Sequence, residues 1–245
     1  MEDQKRILNG KGLICGPFEE ETIFYKRVAL LQNPEACQKI LTSYGKPDRL
    51  QLVYEELDLE VDWLWVTSKR APFFWEAAAL WLIEHEGMTF PLLQMKKRDE
   101  EVMKHEVVHA ARASFQEKVF EEYVAYATST SAWRRYWGPL FQSPMESLVF
   151  VILSFLPLVS LYAAGGLGGY IGFLITRLVL RQKTFRKTLK QLKEIFPKEP
   201  PLKIALRLTD KEICFLAKGK GVKDYIEAQK SYRWQQIKAS YAVRP

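Results

Sequence analysis

The sequence predicts an α+β protein in three parts, and three stretches predict it. Residues 49–69 alternate apolar and polar side chains, and residues 88–95 form a short apolar run, both patterns of strands. From Arg98 to Trp137 there is neither Gly nor Pro, the pattern of continuous helix. Leu148 to Leu180 is 33 residues long and carries one charge, Arg177, which exceeds the ~20 apolar residues that one membrane span needs. The divisions fall at 1–137, 138–180 and 181–245.

Composition bounds the reading. With 48% hydrophobic residues over 245 positions the chain can bury a core. Its net charge of +7 is uneven, because residues 181–245 hold 17 Lys and Arg against 6 Asp and Glu, leaving the first 180 residues acidic. A basic C-terminal part points to an anionic partner or to the cytosolic face of a membrane. Cys15, Cys37 and Cys214 are odd in number, widely spaced and form no CxxC pair. This fits a reducing compartment and no disulfide framework. No long apolar run follows Met1 to Arg6, so no cleaved signal peptide is expected. No internal repeat is evident.

In chain order, Asn9-Gly10-Lys11-Gly12 predicts a turn, and Ile23 to Leu31 a strand or short helix. Asn33 as N-cap and Pro34 at the first helical position open a helix to about Tyr44, which Gly45-Lys46-Pro47 ends. Strand faces follow at Leu50, Leu52 and Tyr54, then at Leu57, Leu59, Val61, Trp63 and Trp65. After the Ala71-Pro72 break, Phe73 to Glu84 reads as an apolar helix, and Met88 to Met95 as a strand between Gly87 and Lys96-Lys97.

Inside the helical tract lies His105-Glu106-Val107-Val108-His109. On a helix His105 and His109 stand one turn apart on one face, so both imidazoles can hold one metal ion. Glu106 is placed beside it as a general base for a metal-bound water, in the HExxH pattern of zinc metalloproteases. Asp99, Glu100 and Glu101 suit the positive end of the helix dipole. Ser114-Phe115-Gln116-Glu117 fits a capping box that starts a second helix. The break matters, because a straight helix would put Glu122 roughly 20 Å beyond His109. A reversal near Ser114 instead returns Glu121 or Glu122 to the ion, as the third protein ligand of a catalytic zinc.

These residues, with the run from Phe120 to Ala127, resemble the gluzincin class of zincin metalloproteases: HExxH on one helix, a glutamate on the next. The resemblance covers roughly Phe90 to Thr128. It implies a zincin-like domain that binds Zn2+ through His105, His109 and Glu122, with Glu106 as catalytic base and a peptide or protein as substrate. Glu122 fits because Ala125 follows three residues later; the interval from His109 is shorter than in most gluzincins, which keeps Glu121 in view. The resemblance also implies that Phe90 to Gln94 is the sheet edge along which a peptide lies. Tyr123 or Tyr126 stands near enough to steady an oxyanion.

Beyond the polar Thr128-Ser129-Thr130-Ser131, Trp133-Arg134-Arg135-Tyr136-Trp137 mixes aromatics with cations directly before the apolar run. That position suits a membrane interface better than single-stranded nucleic acid, and no nucleic-acid partner is expected. The apolar run is read as a single tilted span or a hairpin turning at Gly165 to Gly169, with membrane lipid as its partner. Cations on both flanks, Arg134 and Arg135 before and Arg181, Lys183, Arg186 and Lys187 after, fit a hairpin with metal site and C-terminal tail both cytosolic. Ile171 breaks any GxGxxG pattern among the glycines, and Lys218-Gly219-Lys220-Gly221 lacks P-loop spacing, so neither predicts nucleotide binding. Residues 181–196 read as a basic amphipathic helix whose apolar side, Phe185, Leu189, Leu192 and Ile195-Phe196, lies on anionic lipid. Thr209 to Ala217, opened by a Thr209/Glu212 capping box, and Val222 to Tyr241 complete a helical tail. The competing functional reading is a non-enzymatic membrane hairpin with a lipid- or partner-binding tail.

Overall fold

The computed structural model describes residues 2–45, 47–68, 77–158 and 163–241. Its architecture is mixed helix and sheet, as expected. Helix α1 (Glu2–Gly10) ends in a turn where Gly12 takes a positive φ of 73°. The stretch left open between strand and helix is helix α2 (Glu21–Gln32). Helix α3 (Pro34–Leu41) starts as read, with the Asn33 side chain accepting from the backbone N–H groups of Glu35 and Ala36. A short 3-10 turn, Thr42–Tyr44, then carries the chain to Gly45, whose φ of 104° stops the helix.

The strands are β1 (Asp48–Arg49), β2 (Leu52–Tyr54), β3 (Leu59–Val61), β4 (Trp65–Thr67), β5 (Ala78–His85) and β6 (Met88–Met95). Strands β2 and β3 form a small antiparallel ribbon; the other four form a sheet in the order β1-β4-β6-β5. Two expectations are corrected here. The apolar helix over Phe73 to Glu84 is strand β5 from Ala78 onward, residues 73–76 lying, with the Ala71-Pro72 break, outside the described residues. Ala and Leu favour helix, but pairing with β6 through an eight-residue register overrides that preference. Glu86 and Gly87, with φ of 50° and 74°, supply the tight turn this hairpin requires. The second correction follows: Phe90 to Gln94 is no edge, because β6 sits between β4 and β5. The edge on that side is β5.

Helix α4 (Glu100–Ala111) carries the histidine motif, and Asp99 caps it by accepting from the Val102 N–H. Helix α5 (Glu121–Ala127) starts later than expected. Ser114 and Glu117 form no capping box: the Ser114 hydroxyl donates to the Ile14 carbonyl, and the Glu117 carboxylate accepts from the Asp210 N–H. Asp210 accepts from the N–H groups of Val119 and Phe120 just before α5, while the helix itself has no side-chain cap. A distant carboxylate thus holds the chain at the entrance to α5.

Helices α6 (Ala132–Trp137), α7 (Pro144–Phe155) and α8 (Ala163–Ile195) follow. Among the described residues no single helix is long and apolar enough to cross a membrane; Ala132–Leu140 and Pro144–Leu158 would pass together but are bent by 82°. Gly165 to Gly169 lie inside α8 and make no turn. Arg177 pairs with Glu146 and donates to the Leu140 carbonyl, tying α8 to the start of α7. The expected lipid-facing side of residues 181–196 is corrected as well. Phe185, Leu192 and Phe196 are buried in the core, so this helix turns its polar face outward.

The last helices, α9 (Pro201–Ala205), α10 (Asp210–Leu216), α11 (Val222–Ala228) and α12 (Tyr232–Tyr241), share one buried cluster with Leu8, Trp63 and Phe115. The Arg207 guanidinium, fully buried, donates to Asn9 and to the carbonyls of Leu57, Lys203 and Asp58, joining three segments of the chain. Gln236 accepts from the Cys15 N–H and donates to the Leu13 carbonyl. The Thr209/Glu212 capping box forms as read.

Glu212 is buried and also accepts from Arg233 and Trp234, at 2.7 and 2.6 Å. Burial opposes its charge, but Arg233 and the hydrogen bonds outweigh burial and hold its pKa below the usual carboxylate value. A depressed folded pKa means stability that is full above the unfolded carboxylate value and lost as pH falls through the folded one. Glu212→Gln leaves Arg233 buried without its partner and should cost about 3–5 kcal/mol at neutral pH. Denaturant unfolding at neutral and acidic pH checks this. The gap between wild type and variant should narrow on the acid side.

Candidate metal centre

The four-residue spacing on α4 brings the two imidazoles together, with Nε2 atoms 3.2 Å apart. The turn over residues 112–120, where Gln116 adopts a φ of 55°, folds α5 back against α4. Glu122 then lies 3.6 Å from His105 Nε2 and 3.5 Å from His109 Nε2, one carboxylate oxygen to each. Two ligand atoms of one tetrahedral zinc, each about 2.1 Å from the ion, stand about 3.4 Å apart. The two imidazole nitrogens stand near that spacing, Glu122 reaches each with a different oxygen, and one donor atom from each of the three residues lies within 4.8 Å of the others, so the three could hold one ion. Asp99 and Glu117, the other carboxylates that could complete such a site, are engaged in capping and in the bond to Asp210.

Glu121 takes a different place from the one its helical position suggests. A rotation of about 100° separates it from Glu122, yet its carboxylate meets His109 Nδ1 at 2.7 Å. With Nδ1–H donating to Glu121, His109 Nε2 faces the cluster, and its proton has to leave before it can hold a metal. The two adjacent glutamates therefore address opposite nitrogens of one imidazole. The reach of the Glu side chain around the helix was not legible from spacing alone.

The cluster is built to attract positive charge. Burial opposes the charge on His109, but the hydrogen bond to Glu121 and the charges of Glu122, Glu121 and Glu106 push its pKa up to about 9. Burial and the neighbouring His109, with Arg134 further off, push His105 down to about 3. Burial also raises Glu122, against the pull of His109.

Of the two tyrosines near the motif, Tyr126 sets its ring edge-on to His105, with centroids 4.6 Å apart. Tyr123 is buried against Phe120 and Phe185, away from the cluster. The Tyr126 ring is held by Gly138, where any Cβ would fall 2.2 Å from the ring. The remaining histidine, His85, sits at the end of β5 with Glu86 3.9 Å away and takes no part.

The cluster lies in a cleft lined by the turn over residues 112–118 and by four further places. Strand β5 contributes Ala78, Ala79, Leu80 and Leu82; α4 contributes His105, Glu106 and His109; α5 contributes Glu121 and Glu122; and Gln142, Ser143 and Pro144 form the approach to α7. Arg112 completes the floor, fully buried, with Nη1 donating to the carbonyls of Leu206 and Leu208 at 2.8 Å each. Its link to Leu206 and Leu208, just past α9, and its burial carry no signal in the sequence. Comparison with protein-family models, with curated proteins and with solved structures finds no match to this chain.

Proposed function

We propose that this protein is a zinc-dependent peptidase held at a membrane. The observation that carries the reading is the convergence of His105, His109 and Glu122, whose donor atoms lie within 4.8 Å of one another, with Glu106 lining the same cleft. Zinc bound there supplies positive charge that polarises a carbonyl and lowers the pKa of a bound water. Glu106 takes a proton from the attacking water and passes it to the leaving amine. Glu121 fixes the His109 ring, and the outer edge of β5 offers backbone N–H and C=O groups to an extended peptide. This last role moves from Phe90–Gln94 to Ala78–Leu82, where the edge lies.

The test is metal content. Protein purified without chelator should carry about one zinc per chain, and His105→Ala or His109→Ala should abolish it. Wild-type protein with no stoichiometric metal sinks the reading. Such an outcome would favour the second one, a membrane hairpin protein without enzymatic activity.

Membrane attachment is supported by the apolar face that α7 leaves outward: Leu148, Val151, Ile152 and Phe155 are about half exposed, between 48% and 62%. Soluble proteins seldom leave so continuous an apolar face bare. The full chain should stay in the membrane pellet through carbonate and high-salt washing. Replacing Val151, Ile152 and Phe155 together by Ser should move it to the supernatant; a wild-type chain that washes free refutes the attachment.

A further inference from the structure

Helix α8 changes character along one face. Ile175 and Val179 are exposed and apolar; one turn on, Lys183, Arg186, Lys187 and Lys190 are exposed and cationic. The spacing of three and four residues keeps all six on one stripe. The cationic part forms the wall of a shallow groove closed by Tyr136, whose ring lies under Arg186 at 5.8 Å. None of these four cations makes an ion pair with any described residue. Other cations nearby are spent within the protein: Arg134 on Glu101, Arg177 on Glu146. At the boundary between the apolar and cationic halves, Gln182 donates to the carbonyls of Arg135 and Tyr136 and fixes α6 beside α8. That places Trp133, 71% exposed and in tilted ring contact with Trp137 at 5.5 Å, on α6 alongside the same boundary.

We propose that the groove of Tyr136, Lys183, Arg186, Lys187 and Lys190 is a docking site for the phosphate headgroups of an anionic bilayer. The proposal rests on the membrane attachment argued above and adds a lipid preference to it. Three features point to one occupant. Four unpaired cations on one face call for a surface of repeated negative charge. The apolar residues continuing the same stripe, with those of α7, call for an acyl layer directly beyond that charge. The paired tryptophans mark the level between the two, where indole rings settle. Along the helix Lys183 to Lys190 covers about 10 Å, so the four cations form a continuous charged stripe rather than a single point. Gln142 to Pro144, which lead into α7, also line the metal cleft. Docking in this way therefore holds the cleft at the membrane surface.

Vesicle sedimentation of the full chain tests the site. The probes are phosphatidylcholine vesicles, alone and mixed with phosphatidylserine. The variant replaces Lys183, Arg186, Lys187 and Lys190 by Gln together; all four are exposed, so folding is not at stake. Wild type should bind the mixed vesicles more tightly, and the preference should fall by a factor on the order of 5 for each cation removed. A second variant, Lys183→Arg with Lys187→Arg and Lys190→Arg, should keep the preference. Equal binding to both vesicles by wild type, or an unchanged preference in the Gln variant, overturns the headgroup site and leaves the apolar attachment standing. No binding to either vesicle overturns both. Binding to duplex nucleic acid that the Gln variant loses, without any lipid preference, assigns the stripe to another partner and overturns the proposal too. Zinc content measured on the same samples reports on the metal centre separately.

Discussion

Glu106→Gln should keep its zinc and lose its activity. Glu106 lines the cleft but is not among the three side chains whose donor atoms converge. The amide has nearly the shape of the acid, so the metal count of the variant should equal that of wild type. What it cannot do is accept a proton. General acid–base catalysis by a positioned side chain is worth about 10²–10⁴-fold, and peptide hydrolysis by the zinc-loaded variant should fall by that factor. Metal analysis and turnover of a peptide pool, measured on one preparation, decide the point. A variant that retains full turnover removes Glu106 from the chemistry. A variant that loses zinc as well makes the carboxylate part of the coordination sphere instead.

The parts of this molecule that could be read from the sequence are those whose cause is local. The caps at Asn33 and Thr209 form as read because a side chain reaches a backbone N–H only two or three residues away. The histidine pair is legible for the same reason: four residues of helix fix its geometry. The errors have distant causes. Strand β5 reads as helix because its composition is Ala- and Leu-rich, and only the pairing with β6 makes it a strand. The Ser114 box fails because its two side chains are taken by distant partners, Ser114 by the Ile14 carbonyl and Glu117 by the Asp210 N–H. The apolar side of residues 181–196 reads as lipid-facing because the sequence does not say that Phe120 and Tyr123 will cover Phe185. Glu121 belongs to this class too, since its role depends on where α5 lies against α4.

Glu121 and Glu122 make the most discriminating pair of substitutions. From helical rotation alone, Glu121→Gln should matter little. The structure changes that expectation. Glu122 presents one oxygen to each histidine, so Glu122→Gln replaces a charged ligand by an amide that binds zinc poorly, and stoichiometric metal should be lost. Glu121 accepts from His109 Nδ1 and never reaches the far side of the ring. Its replacement by Gln keeps a hydrogen-bond acceptor but removes the charge that makes His109 a stronger ligand. The affinity should then fall by about 10–100-fold, the usual cost of losing the partner behind a ligating histidine. Competition with a zinc chelator of known strength reads both effects. The ordering is what matters, Glu122 above Glu121 and both above a remote control such as Glu35→Gln on α3. If Glu121→Gln is the more damaging, the two glutamates exchange roles through a shift of α5. If neither substitution changes the affinity, the donor set lies elsewhere and the peptidase reading loses its third ligand.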